Sequence, residues 1–135
     1  MDKKRVLFVC THNSARSQMA EAFLRSLFGD RYEPRSAGTS PTRVNPYAIK
    51  AMREVGIDIS GHRSKGVEEF QEETFDQVIT VCDSAKEACP FFPGGALRSH
   101  KSFPDPSACQ GREDEIMECV RRIRDEIKDW IVRSF

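Results

Sequence analysis

The chain has 135 residues, with 21 Lys plus Arg balanced by 21 Asp plus Glu and a formal net charge of zero, which argues against nucleic acid or an acidic membrane surface as its main partner. Its length fits a single domain, 1–135, able to bury a core without metal or disulfide staples. Between Met1-Asp2-Lys3-Lys4-Arg5 and Cys10 stand only Val6-Leu7-Phe8-Val9, short of the roughly 7 to 15 apolar residues of a signal peptide or about 20 of a membrane span, so a cytoplasmic protein without membrane contact is expected. Five cysteines at that address are not expected to build a disulfide framework, and no Cys-x2-Cys pair suggests zinc.

In chain order, Val6–Val9 reads as a buried strand, and Met19, Ala20, Phe23, Leu24 and Leu27 recur at helical spacing up to Gly29-Asp30. Tyr32–Ala37 is a second strand closed by Gly38. Asn45 as cap and Pro46 at the first helical position open a helix with Ala48, Ile49, Met52 and Val55 inward and Gly56 as its stop. A weaker helical piece, Gly66–Phe75, precedes a strand at Gln77–Val81. Pro90, Pro93, Gly94 and Gly95 mark a loop before a last short strand, Leu97–Phe103. A long final helix over Glu113–Val132 turns Ile116, Cys119, Val120, Ile123, Ile127 and Ile131 to one face. Alternation of strands and helices implies an α/β fold, with a parallel sheet covered on both faces and ligands bound beyond the carboxyl ends of its strands.

Cys10, Cys82 and Asp105 all follow predicted strands and therefore converge on one sheet edge. Cys10 opens the run Cys10-Thr11-His12-Asn13-Ser14-Ala15-Arg16-Ser17 between a strand and a helix. Cys-x5-Arg alone is a weak motif, but the amides at a helix start lack intrahelical partners and carry the positive end of the dipole, so a loop wrapped over them binds a tetrahedral oxyanion. The same field favours a thiolate at Cys10, and Arg16 offers a planar fork to two anion oxygens. The loop has no glycine, so Asn13 must supply any left-handed reversal. Ser14 and Ser17 offer hydroxyls either to the loop and thiolate or as helix caps. Asp105 before Pro106 reads as a turn or, after a strand, as an acid.

Cys82 and Cys89 are seven positions apart. On a helix that spacing means about 10.5 Å of rise, against roughly 4.4 to 6.8 Å between the Cα atoms of a disulfide. Either the two thiols never pair, or a short helix over Asp83–Ala88 must unwind for them to do so. Cys119 is expected to pack in the core and Cys109 to be an exposed bystander. His62 and His100 are assigned to the surface, and His12 points outward from its loop.

The run from Cys10 to Glu21, Ser36-Ala37-Gly38-Thr39, Ile57-Asp58-Ile59-Ser60, the pair Cys82 and Cys89, and Asp105-Pro106 resemble thioredoxin-coupled arsenate reductases, built on the low-molecular-weight protein tyrosine phosphatase fold. The resemblance implies a four-stranded parallel sheet, an oxyanion cradle formed by Thr11, His12, Asn13, Ser14, Ala15, Arg16 and Ser17, and Asp105 as acid. It also implies a relay in which Cys10 attacks arsenate, Cys82 attacks Cys10, and Cys89 moves the disulfide to Cys82–Cys89 for thioredoxin to reduce. No cofactor follows, and a monomer is expected. Phosphomonoester hydrolysis by Cys10, Arg16 and Asp105 is the alternative. Some members hold potassium through residues matching Asn13, Glu21, Ser36 and a carboxylate where this chain has Lys65, whose ammonium is then placed near Glu21. Helix periodicity alone leaves Glu21 solvated, and Ser36 is expected to brace Asn13.

Overall fold

A computed structural model describes residues 2–90, 92 and 94–135. Pro93 of the predicted loop lies outside them. Four parallel strands, β1 (Lys4–Cys10), β2 (Tyr32–Gly38), β3 (Gln77–Thr80) and β4 (Leu97–His100), form one sheet in the order β2-β1-β3-β4. The helices are α1 (Arg16–Phe28), α2 (Pro46–Glu54), α3 (Asp83–Ala88) and α4 (Glu113–Ser134). Val6, Leu7, Phe8 and Val9 are all fully buried. Since successive strand residues point to opposite faces, both faces of the sheet are covered. Phe8 meets Trp130 and Phe135 edge-on at the α4 end, and α1 and α2 both pack on α4.

Departures from the predicted elements have local causes. In Gly66–Phe75 only a 3-10 turn, Val67–Phe70, forms, enough to bury its two apolar ends. Val55 lies beyond the end of α2 and is exposed, while Gly56 at φ 81° reverses the chain so that Ile57 N–H donates to Met52 O at 3.0 Å. β4 stops at His100, although Lys101 and Phe103 amides still reach Thr80 O and Val81 O, and Pro104 then has no amide to offer. On α4 the buried residues include Met117 and Arg124, whereas Ile116 is only half-buried. Arg124 tolerates burial because its guanidinium donates to Ala51 O at 2.8 Å and to Glu54 at 3.0 Å, tying α4 to the carboxyl end of α2.

Cys119 is not simple core filling and Cys109 is not a bystander, because the two form a disulfide. α4 packs against the 3-10 turn Pro106–Ala108, which carries Cys109 to the flank of the helix where Cys119 projects. The bond staples the segment after Asp105 to α4. Sequence spacing missed it because ten residues separate the two, and only packing of the turn on the helix brings them within reach.

Replacing both residues, Cys109→Ser with Cys119→Ser, removes a cross-link over a short loop. Chain entropy alone predicts a loss of about 2 to 3 kcal/mol, to be read from the midpoint of urea unfolding.

Candidate active site

The loop after β1 is built by turning its carbonyls outward. Cys10 O accepts from Thr39 N–H at 3.1 Å, Thr11 O from Ser40 N–H at 2.7 Å, and Ser14 O from Asn45 N–H at 2.9 Å. His12 O accepts from Thr42 N–H at 3.3 Å and Ser64 Oγ at 2.6 Å. In a trans peptide the carbonyl and the next amide point in opposite directions, so the amides of Thr11, His12, Asn13 and Ala15 face inward. Asn13 N–H does so onto Cys10 Sγ at 3.1 Å. α1 starts after Ala15 with no side chain capping it, which leaves its first-turn amides open to an anion.

Asn13 has φ 49°, the left-handed conformation the glycine-free loop requires. Its buried amide is held from three directions. Nδ2 donates to Ser17 Oγ at 2.8 Å, while Oδ1 accepts from Gln18 Nε2 and from the Lys65 amide, each at 2.8 Å. Ser17 Oγ lies 2.8 Å from Cys10 Sγ. It therefore contacts the thiol instead of capping the helix, while the Asn13 amide donates to the same sulfur. Ser36 does not brace Asn13. Its hydroxyl donates to Glu21 at 2.6 Å.

Glu21 is buried, contrary to its position on the helical wheel, because β2 closes over that side of α1. Its carboxylate meets Arg25 at 2.7 Å and Lys65 Nζ at 4.0 Å. Burial pushes the Lys65 ammonium below its ordinary range, with Glu21 pulling the other way. An ammonium beside Glu21, together with an Asn13 amide already spent on three partners, leaves Asn13, Glu21 and Ser36 unfit to hold a potassium ion. Among the described residues no group of three or more His, Cys, Asp or Glu is placed to bind a metal.

Cys10, His12, Ser14, Ala15, Arg16, Asn45, Asp105 and Ser107 line one small cleft at the carboxyl edge of the sheet. Arg16 is nearly buried, with Nη1 donating to Phe103 O at 3.3 Å and Nη2 3.6 Å from Asp105 Oδ2. Partial burial pushes the Asp105 carboxyl up, but hydrogen bonds from Ser107 and the charges of Arg16 and His12 outweigh it and hold the group below its usual range. Cys82 is next to the loop and not in the cleft, its Sγ 3.2 Å from Thr11 Oγ1. Cys82 and Cys89 stand at the two ends of α3, both buried and unpaired.

Neither remaining histidine assigned to the surface is free there. His62 Nδ1 lies 3.0 Å from Gln18 Oε1, extending the bracing of Asn13, and His100 spans Thr80 at 2.6 Å and Asp83 at 3.0 Å. His12 does face outward, against Ser40 O. Sequence reasoning missed Gln18, His62 and Gly38 as parts of the site. Only Gly38 carries a signal: a glycine closing the strand next to β1, where backbones approach closely.

The chain belongs to the low molecular weight phosphotyrosine protein phosphatase family, whose model matches residues 5–134. Within that family its curated relatives include arsenate reductases. That of Bacillus licheniformis is 43% identical over 133 residues, covering 98% of this chain and 96% of the relative. Among solved structures, an arsenate reductase in the oxidized state superposes with a TM-score of 0.82 at 34% identity, covering 96% and 95% of the two chains. The thioredoxin-dependent arsenate reductase of Corynebacterium glutamicum superposes at 0.64 and 29% identity, covering 98% of this chain and 64% of that one. No helix among the described residues is long and apolar enough to cross a membrane.

A Cβ at Gly38 would stand 2.7 Å from Thr11 O and 2.8 Å from Asn13 N, both backbone atoms that cannot step aside. Gly38→Ala therefore displaces the loop. The variant is expected to lose about 1 to 3 kcal/mol of stability and to bind inorganic phosphate more weakly, measured by calorimetry.

Proposed function

We propose that the chain reduces arsenate to arsenite by a three-cysteine relay regenerated by thioredoxin. Cys10 thiolate attacks arsenic(V) while the inward amides and Arg16 hold the oxygens, and Asp105 protonates the departing hydroxyl, which leaves as water. Cys82 thiolate then attacks the Cys10 sulfur. The S–As bond breaks with its electron pair going to arsenic, arsenite departs as arsenic(III), and Cys10–Cys82 is left as a disulfide. Cys89 attacks Cys82, Cys10 leaves as thiolate, and Cys82–Cys89 passes its oxidation to the thioredoxin dithiol.

One observation carries this reading over simple phosphate ester hydrolysis. Two buried, unpaired thiols flank a six-residue helix, and one of them touches the anion loop through Thr11. Hydrolysis needs only Cys10, Arg16 and Asp105 and leaves that pair without a task. α3 also suits the relay. It is too short to be stable alone, so unwinding it to bring Cys89 to Cys82 is cheap.

Asp105 is ionised before substrate arrives, since Arg16 and Ser107 favour its carboxylate. Binding an oxyanion engages the Arg16 charge and adds negative charge beside Asp105. Both raise the proton affinity of the carboxyl, so it becomes an acid only in the complex.

Cys82→Ser is expected to abolish repeated arsenite release with thioredoxin and its reductase while leaving aryl phosphate hydrolysis in place. Sustained arsenate turnover by that variant, with thioredoxin as sole reductant, would show the relay to be wrong. Asp105→Asn is expected to slow turnover by about 10²- to 10⁴-fold, the usual value of general acid catalysis. Oxyanion affinity in that variant should be equal or higher, because a repelling carboxylate is gone.

A further inference from the structure

Cys89 performs the last intramolecular step of the relay from an unfavourable setting. It is buried at the carboxyl end of α3, its amide tied to Ala85 O at 2.9 Å and its thiol directed at Pro90 O at 3.6 Å. Burial pushes this thiol above its ordinary range. A thiol in that state, with its proton engaged by a carbonyl, is a weak attacker.

Across from it stands Arg98 on β4. Nη1 donates to Pro90 O at 3.2 Å, the carbonyl that also receives the thiol, and Nη2 donates to Cys89 O at 3.2 Å. The guanidinium thus brackets the Cys89 thiol through both neighbouring carbonyls, and its charge opposes the effect of burial. Two positions on, and so on the same face of the strand, His100 reaches Asp83 at the other end of α3 at 3.0 Å. β4 therefore grips the redox helix at both ends. β4 itself is anchored to β3 along its length.

We propose that Arg98 is the positioning residue of the disulfide transfer, holding the Cys89 segment in the resting state and presenting its guanidinium to the Cys89 sulfur as the thiolate forms. The assignment rests on the three-cysteine relay proposed above. As α3 unwinds, the Cys89 and Pro90 carbonyls turn away, the fork exchanges them for the sulfur, and the thiol proton passes to solvent. Cys89 thiolate then attacks the Cys82 sulfur of Cys10–Cys82. The Cys82–Cys89 bond forms as Cys10–Cys82 breaks, and Cys10 leaves as a thiolate received by the Asn13 amide and Ser17. No external oxidant or reductant enters this exchange.

The direction of the effect follows from thiolate chemistry. Without the guanidinium less of the Cys89 thiol is ionised at pH 7, which the higher intrinsic nucleophilicity of the more basic thiolate offsets only in part, so the transfer slows. Well above the titration of the thiol the deficit vanishes or reverses. The test loads reduced full-length protein with one equivalent of arsenate, omits thioredoxin, quenches with acid, and follows conversion of Cys10–Cys82 to Cys82–Cys89 by mass spectrometry across pH. Wild type, Arg98→Gln and Arg98→Lys are compared. The proposal expects Arg98→Gln to be slower at pH 7 with its profile moved to higher pH, and Arg98→Lys to recover most of the rate and the original profile. Equal rates and profiles for wild type and Arg98→Gln overturn it. So does slowing by the same factor at every pH, which marks a merely structural role. A wild type that releases arsenite yet never accumulates Cys82–Cys89 overturns the relay and the role of Arg98 with it, a result separate from failure of Arg98 alone.

Discussion

An anion cradle made of backbone amides exists only if the carbonyls of the same peptides are satisfied somewhere else. In this protein the segment 39–45 and Ser64 supply that satisfaction, taking up the carbonyls of Cys10, Thr11, His12 and Ser14 one after another. Everything else at the site depends on this outward pinning. It turns the amides inward, brings Asn13 N–H onto the Cys10 sulfur, and leaves the start of α1 uncapped and open. Gly38 belongs to the same constraint, since β2 must approach the loop so closely that no Cβ fits between them.

Beneath the loop lies a buried polar layer that converts rigidity into chemistry. Asn13 holds its left-handed turn because its amide is saturated by Ser17, Gln18 and Lys65, and Gln18 is in turn held by His62. Among the described residues, no buried side-chain nitrogen or oxygen is left without a partner. A network satisfied to that degree specifies one geometry, whereas a partly satisfied one would invite alternatives. The same layer explains why Glu21 can be buried: Ser36, Arg25 and Lys65 compensate its charge without an added cation.

The opposite side of the site carries the second and third thiols. α3 is six residues long, has a thiol at either end, and is held from β4 by Arg98 and His100. The fold thus pairs a cradle fixed by backbone hydrogen bonds with a six-residue helix held from β4 at both ends. The Cys109–Cys119 bond adds a further fixed point by fastening the chain just beyond Asp105 to α4. Asp105 itself lines the cleft.

Strands, helices and their order were legible in the sequence because β1 carries the apolar run Val6–Val9, α1 and α4 show helical periodicity, and Asn45-Pro46 and Gly56 punctuate α2. From that order alone followed a parallel sheet with Cys10, Cys82 and Asp105 at one edge, and the spacing of Cys82 and Cys89 meant that the two thiols pair only if the helix between them unwinds. These are properties of local pattern and chain topology. What the sequence could not disclose depends on contacts between segments far apart in it. Ser36 turns to Glu21 instead of Asn13, Glu21 itself is buried, His62 and His100 are half-buried braces, and Cys109 meets Cys119. Periodicity records which side of an element faces the core, but not which polar partner awaits a side chain there, and that choice is made only when the elements pack.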